Sequence, residues 1–140
     1  MLWNEKYETG NREVDDEHRE IFDLVQKVID ATFKDRGEKM ETIIDFLANY
    51  TIQHFNNEER LMEESGYPHT GEHKRQHAEF LEEVVKLKKK VLAEADRTAN
   101  NVLINKVIVN WLTKHVLGSD MMMAAHYRKW GDLEAAKAKS

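Results

Sequence analysis

A chain of 140 residues, 41% hydrophobic and 34% charged, has material for one soluble globular domain with a real core and little room for a second. Its formal net charge of -5 and the lack of a basic stripe exclude nucleic acid as a partner, and the local run Lys86, Lys88, Lys89 and Lys90 reads as a solvated helix face. With no cysteine, disulfides, thiolate metal sites and iron–sulfur clusters are excluded too.

The first residues, Met1-Leu2-Trp3-Asn4-Glu5-Lys6, lack the basic and apolar regions of a signal peptide. No apolar run approaches the roughly 20 residues needed to span a bilayer. A cytoplasmic protein with no membrane insertion is expected.

Residues 1–14 show no clear period and read as an extended arm, with Trp3 and Tyr7 free to pack on the body. The first helix is expected over about 16–34, its apolar stripe Ile21, Phe22, Val25, Val28, Ile29 and Phe33, with Gly37 marking the turn that follows. The second runs over about 38–64, with Met40, Ile43, Ile44, Leu47, Leu61 and Met62 inward. Ser65-Gly66-Tyr67-Pro68 is a strong break. Thr70 can cap a third helix over about 71–95, which carries Phe80, Leu81, Val84, Leu87 and Val91. Asp96 to Asn100 reads as a polar connection. The fourth helix, about 100–118, carries Ile104, Val107, Ile108, Trp111 and Leu112 and ends near Gly118, before a mixed tail over 121–140. Four helices with short connections imply an all-α fold, an antiparallel up-down-up-down four-helix bundle with an extended N-terminal arm.

Polar residues continue the apolar stripes. His54 and Glu58 follow Leu47 and Thr51 at helical spacing, and His73 and His77 lead into Phe80 and Val84. His115 follows Ile108 and Trp111, and His18 lies one turn before Ile21 and Phe22. A lone helical histidine is more often a surface or satisfied core residue. Here, however, the start of the first helix, the end of the second, the start of the third and the end of the fourth share one end of an antiparallel bundle. All these residues therefore fall in one layer. Buried polar groups cost several kcal/mol each when unpaired, and metal ions compensate them most completely. Asp120 stands five residues after His115, off an unbroken α-helical face, and needs a locally wider turn to swing inward. His69 and His126 fall outside the layer, and Met121-Met122-Met123 reads as ordinary packing because consecutive residues point different ways.

Five imidazoles and two carboxylates exceed the needs of one zinc and suit two octahedral first-row ions with bridging carboxylates. Iron, manganese, zinc and copper all accept such donors. The His-Glu-x-x-His of zinc proteases is absent, and so is the Glu-x-x-His of carboxylate-rich di-iron enzymes. A set with few anions disfavours high-valent iron and favours a state that binds O2 and releases it. If Glu58 and Asp120 both bridge, together with one solvent oxygen, six terminal places face five histidines and one place stays open.

These residues resemble the hemerythrins. The matching stretches are Val14-Asp15-Asp16-Glu17-His18, His54-Phe55-Asn56-Asn57-Glu58-Glu59 with Leu61-Met62, Gly66-Tyr67-Pro68, His73-Lys74, His77-Ala78-Glu79-Phe80, Trp111-Leu112-x-x-His115 and Asp120. The resemblance implies an oxo- or hydroxo-bridged pair of Fe ions. His73, His77 and His115 would hold the filled iron, His18 and His54 the iron with the open place, and Glu58 and Asp120 would bridge. It implies O2 as the ligand, bound reversibly for transport, storage or delivery, in a protein that is not an enzyme and is monomeric, with an O2-consuming partner unidentified. Phe22, Phe55, Trp111 and Leu112 are candidates for a dry wall around the O2 pocket. The alternatives on the same scaffold are a di-iron peroxidase or nitric oxide reductase, and iron storage or detoxification. The chain departs at Glu17, where the family often has glutamine, and in the apolar stretch Met121 to Ala125.

Overall fold

The computed structural model describes residues 3–34 and 38–139, so the turn expected at Gly37 lies outside the described residues. Four helical rods form an antiparallel bundle: α1 (Arg12–Lys34), α2 (Glu38–Ser65), α3 (Thr70–Ala93) and a composite fourth rod. That rod is built from α4 (Arg97–Ile104), α5 (Asn110–His115) and α6 (Met121–Lys139), joined end-on by π-helical turns at Asn105–Val109 and Val116–Asp120. Each rod packs on its neighbours in sequence, and the fourth closes the ring against α1 and α3.

Several boundaries differ from the sequence expectation, each for a local reason. The arm holds a 3-10 turn at Glu5–Tyr7, and α1 begins at Arg12, within the stretch expected to be extended. Asn11 Oδ1 accepts from the Val14 N–H, and the Asp15 carboxylate accepts from the Thr9 and Gly10 N–H groups, which fixes the entry to α1. Thr70 is not a cap, because its hydroxyl donates back to Tyr67 O from within α3. Asp96 caps the fourth rod by accepting from Thr98 N and Ala99 N, so that rod starts before residue 100. Nor does it end near Gly118. Residues 121–139 are helical rather than mixed, because Met123 and Ala124 bury against the end of the bundle and carry the helix on. Phe33, expected in the α1 stripe, is half exposed.

The apolar interior is in two parts. The main core runs from Ile21, Val25 and Ile44 to Leu87, Val91 and Ile108. A smaller cluster of Val14, Leu61, Met62, Tyr67 and Met123 lies towards the other end. The residues His18, His54, Glu58, His73, His77, His115 and Asp120, all buried, come from the stretches of helix that meet at that end.

Candidate metal centre

The fourth rod shows how sequence places a carboxylate at this depth. Ile104, Ile108, Leu112, Val116 and Asp120 are all buried and recur every four residues. On a plain α-helix such steps drift by about 40° each, or about 160° over the stripe. A turn closed i→i+5 absorbs one extra residue, about 100° of rotation. The two π-turns together hold the stripe on one face and bring Asp120 round beside His115.

The seven donors form two groups that share both carboxylates. His18 Nε2 lies 2.9 Å from Asp120 Oδ2 and 3.4 Å from Glu58 Oε2, and His54 Nε2 lies 3.1 Å from Glu58 Oε2. On the other side His73 Nε2 and His115 Nε2 each lie 3.0 Å from Asp120 Oδ1. His77 Nε2 is 3.1 Å from Glu58 Oε1 and 3.2 Å from His115 Nε2. Each carboxylate thus turns one oxygen to the two-histidine group and the other to the three-histidine group. All donor atoms within a group lie within 4.8 Å of one another.

These residues fit metal ions better than they fit one another. Among the described residues, both oxygens of Glu58 and of Asp120, and both ring nitrogens of His18 and His73, are buried without a hydrogen-bond partner despite the short separations. Octahedral ions with bonds of about 2.1 Å space adjacent donors about 3 Å apart, which is the separation found here.

Electrostatics without metal points the same way. Burial opposes a proton on His54, yet Glu58, Glu17 and Asp120 overcome it and raise the imidazole to about 10. His73 is likewise raised to about 9 against burial, by Asp120 and Glu58, and His18 is raised by the same carboxylates. Burial opposes ionisation of Glu58, but His54, His18 and His73 hold it well below the usual carboxylate range. Asp120 is also held low, against burial and the neighbouring Glu58, by His115 and His18. The two carboxylates thus favour positive charge where the histidines converge.

Residues to which the sequence reading gave no role support the rings from behind. Glu17 Oε1 lies 2.9 Å from His54 Nδ1, Glu59 Oε2 lies 2.9 Å from His77 Nδ1, and Gln76 Oε1 lies 3.0 Å from His115 Nδ1. Ser119 Oγ also donates to Gln76 Oε1, at 2.7 Å. The signal was adjacency: each supporting residue sits next to a converging donor, on the side facing the next helix.

The four residues expected as an apolar wall fall in different places. Phe55 stacks on His77 with ring centroids 3.7 Å apart, and Trp111 stacks on His115 at 4.3 Å. Leu112, next to Trp111 in sequence, is buried in the main core. Phe22 packs with Trp3 and Tyr7 of the arm, its ring contacts among the described residues. His69 is exposed, and His126 contacts Ser65 O rather than the cluster. Small hollows over Gln76 and Ser119 reach His115 on one side and His73 on the other. A larger one, lined by Asp96, Thr98, Val102 and Lys106, lies at the opposite end of the fourth rod and holds none of the converging donors.

A four-helix bundle that closes on a buried His/Glu/Asp cluster defines a class of metal-binding bundle, and comparison with known proteins fixes the family. A family model described as "Hemerythrin HHE cation binding domain" matches residues 9–127, so the chain belongs to the hemerythrin family, whose membership implies non-haem iron. Relatives named bacteriohemerythrin include one from Stenotrophomonas maltophilia, 29% identical over 124 residues, spanning 89% of this chain and 79% of that protein. Another, from Pseudomonas aeruginosa, is 27% identical over 120 residues, spanning 86% of this chain and 76% of that protein. A third, from Clostridium acetobutylicum, is 27% identical over 125 residues, spanning 86% and 95%. Among the described residues no helix is long and apolar enough to cross a membrane.

Proposed function

We propose that this chain binds O2 reversibly at a non-haem di-iron centre, for oxygen transport, storage or delivery, and is not an enzyme. The observation that carries this reading is the unequal sharing of donors. Glu58 and Asp120 supply one oxygen to each group, while the histidines divide two and three. His73, His77 and His115 with the two carboxylates offer five donors to one iron, and His18 and His54 with the same carboxylates offer four to the other. Were one solvent oxygen to lie between the irons, the first would be filled and the second would keep one place for a small ligand. Iron held there would supply the electrons that O2 takes up on binding and returns on release.

The remaining work falls to the protein. Five neutral imidazoles and two carboxylates keep the donor set only modestly anionic, which favours return to the reduced state. Phe55 and Trp111, stacked on His77 and His115, keep water from those rings. Together with Leu112 and Phe22, buried in the same core cluster, they would form the apolar surround that disfavours escape of a charged, reduced oxygen species. The test is iron content together with the visible spectrum through cycles of O2 addition and removal. Steady turnover of peroxide or nitric oxide would instead favour an enzyme, and more than two irons per chain would favour storage.

A further inference from the structure

Three residues adjacent to converging donors each reach across a helix seam to support a donor on the next rod. Glu17 precedes His18 on α1 and reaches His54 on α2. Glu59 follows Glu58 on α2 and reaches His77 on α3. Gln76 precedes His77 on α3 and reaches His115 on α5. Successive helical residues lie about 100° apart, so when one side chain aims at the bundle axis its neighbour lies over the seam with an adjacent helix. Two of the three supports are carboxylates, and they are divided one to each donor group. Glu17 is the more firmly held: its Oε2 also accepts from Asn57 Nδ2 at 2.6 Å, and Asn57 stands one turn beyond His54 on the same α2 face. His18 and His73, by contrast, have no partner at Nδ1 among the described residues.

We propose that Glu17 is a positioning residue for the two-histidine metal, holding His54 with Nδ1 protonated and Nε2 turned to the ion, and that Glu59 does the same for His77 in the three-histidine group. The proposal rests on the di-metal reading above. An ionised carboxylate can only accept a hydrogen bond, so each imidazole is fixed as the tautomer whose Nε2 lone pair is free. The same bond makes the imidazole a stronger donor. Each metal thereby gains a negative charge one hydrogen bond away that a count of the seven donors omits, and Glu17 places it at the ion with the open place.

The test is an anaerobic titration of the metal-free protein with Fe2+ in competition with a chelator, alongside helix content. It compares the unaltered chain with Glu17→Ala, Glu59→Ala and Glu17→Gln. The unaltered chain takes up two Fe2+; fewer would defeat the di-metal reading itself and leave nothing for Glu17 to position. With two taken up, Glu17→Ala weakens one Fe2+ by about 10- to 100-fold and leaves the other within about threefold, as loss of a bond behind a ligand does. Glu59→Ala weakens the one that Glu17→Ala spares. Glu17→Gln keeps an acceptor oxygen for the His54 Nδ1–H and recovers part of the lost affinity. The proposal is overturned if Glu17→Ala binds both ions as the unaltered chain does, if it weakens both equally, or if Glu17→Gln at native helix content is no better than Glu17→Ala.

Discussion

Deleting Leu117 is expected to leave the metal centre intact, although it removes a residue from the helix between two donors. Leu117 is 44% exposed and lies inside the π-turn Val116–Asp120. A turn closed i→i+5 holds one residue more than an α-turn, so removing one returns ordinary α-helix with both ends in place. His115 and Asp120 then stand four apart, the same relation as His54 and Glu58, whose Nε2 and Oε2 lie 3.1 Å from each other on uninterrupted α-helix. The comparison is deletion of Asn56, also exposed, from α2. There no extra residue is available to absorb the change. Glu58 and everything beyond it rotate by about 100°, a Cα displacement of about 3.5 Å on a helix of about 2.3 Å radius, before the longer side-chain lever is counted. The assay is Fe2+ bound per chain, with helix content as the check on folding. Two irons with Leu117 deleted and fewer than two with Asn56 deleted are expected. A folded Leu117 deletion without iron, or a full complement after deletion of Asn56, would refute the account of how the π-turn places Asp120.

Further outcomes follow from the same geometry. Glu58→Ala takes one donor from each group and leaves buried histidines without their partner; stable iron binding is expected to be lost, and the metal-free fold to lose about 3–5 kcal/mol, read by urea unfolding. His69→Ala should leave iron content unchanged, because that ring is exposed and outside both groups. In the metal-free protein His54 and His73 are raised to about 10 and about 9, so the stability they contribute is fully present below about pH 6.5 and is lost as pH rises through 9 to 10. The lowered carboxylates Glu58 and Asp120 contribute above about pH 4 and lose that contribution on acidification. The urea midpoint of chelated protein should therefore fall on both sides of neutrality, and iron should remove the alkaline fall, because Nε2 then carries no proton. Phe55→Ala empties the ring stacked on His77, at a cost of about 3–5 kcal/mol, and should speed irreversible oxidation of the reduced centre several-fold, measured from the visible absorbance.

The bundle and the buried layer of histidines and carboxylates were legible in the sequence because both rest on period. Apolar residues recurring every three to four positions place His18, His54, Glu58, His73, His77 and His115 inward, and antiparallel order sets their common depth. Asp120 was recognisable as a misfit in that period, and a π-turn at Val116–Asp120 carries the fourth rod past Gly118, where pattern alone expects an end. The extent of that rod was hidden because residues 121–139 carry little amphipathic contrast; Met123 and Ala124 supply the contact that continues it. Which oxygen of each carboxylate faces which group depends on side-chain rotation, which spacing does not encode. Nothing in the spacing of Glu59 and Gln76 sets them apart, and their role arises only when the neighbouring rod brings His77 Nδ1 and His115 Nδ1 within 3.0 Å. Phe22 shows the converse: a buried aromatic one turn from His18 whose ring partners are Trp3 and Tyr7.

The most direct measurement is iron per chain together with the visible spectrum of the anaerobically reduced protein, taken before O2, with O2 and after its removal. The account predicts two irons and an absorption band that appears with O2 and vanishes when O2 is withdrawn, over repeated cycles. A chain without iron after iron-replete expression, or one whose two irons oxidise at first exposure and do not return, would contradict it.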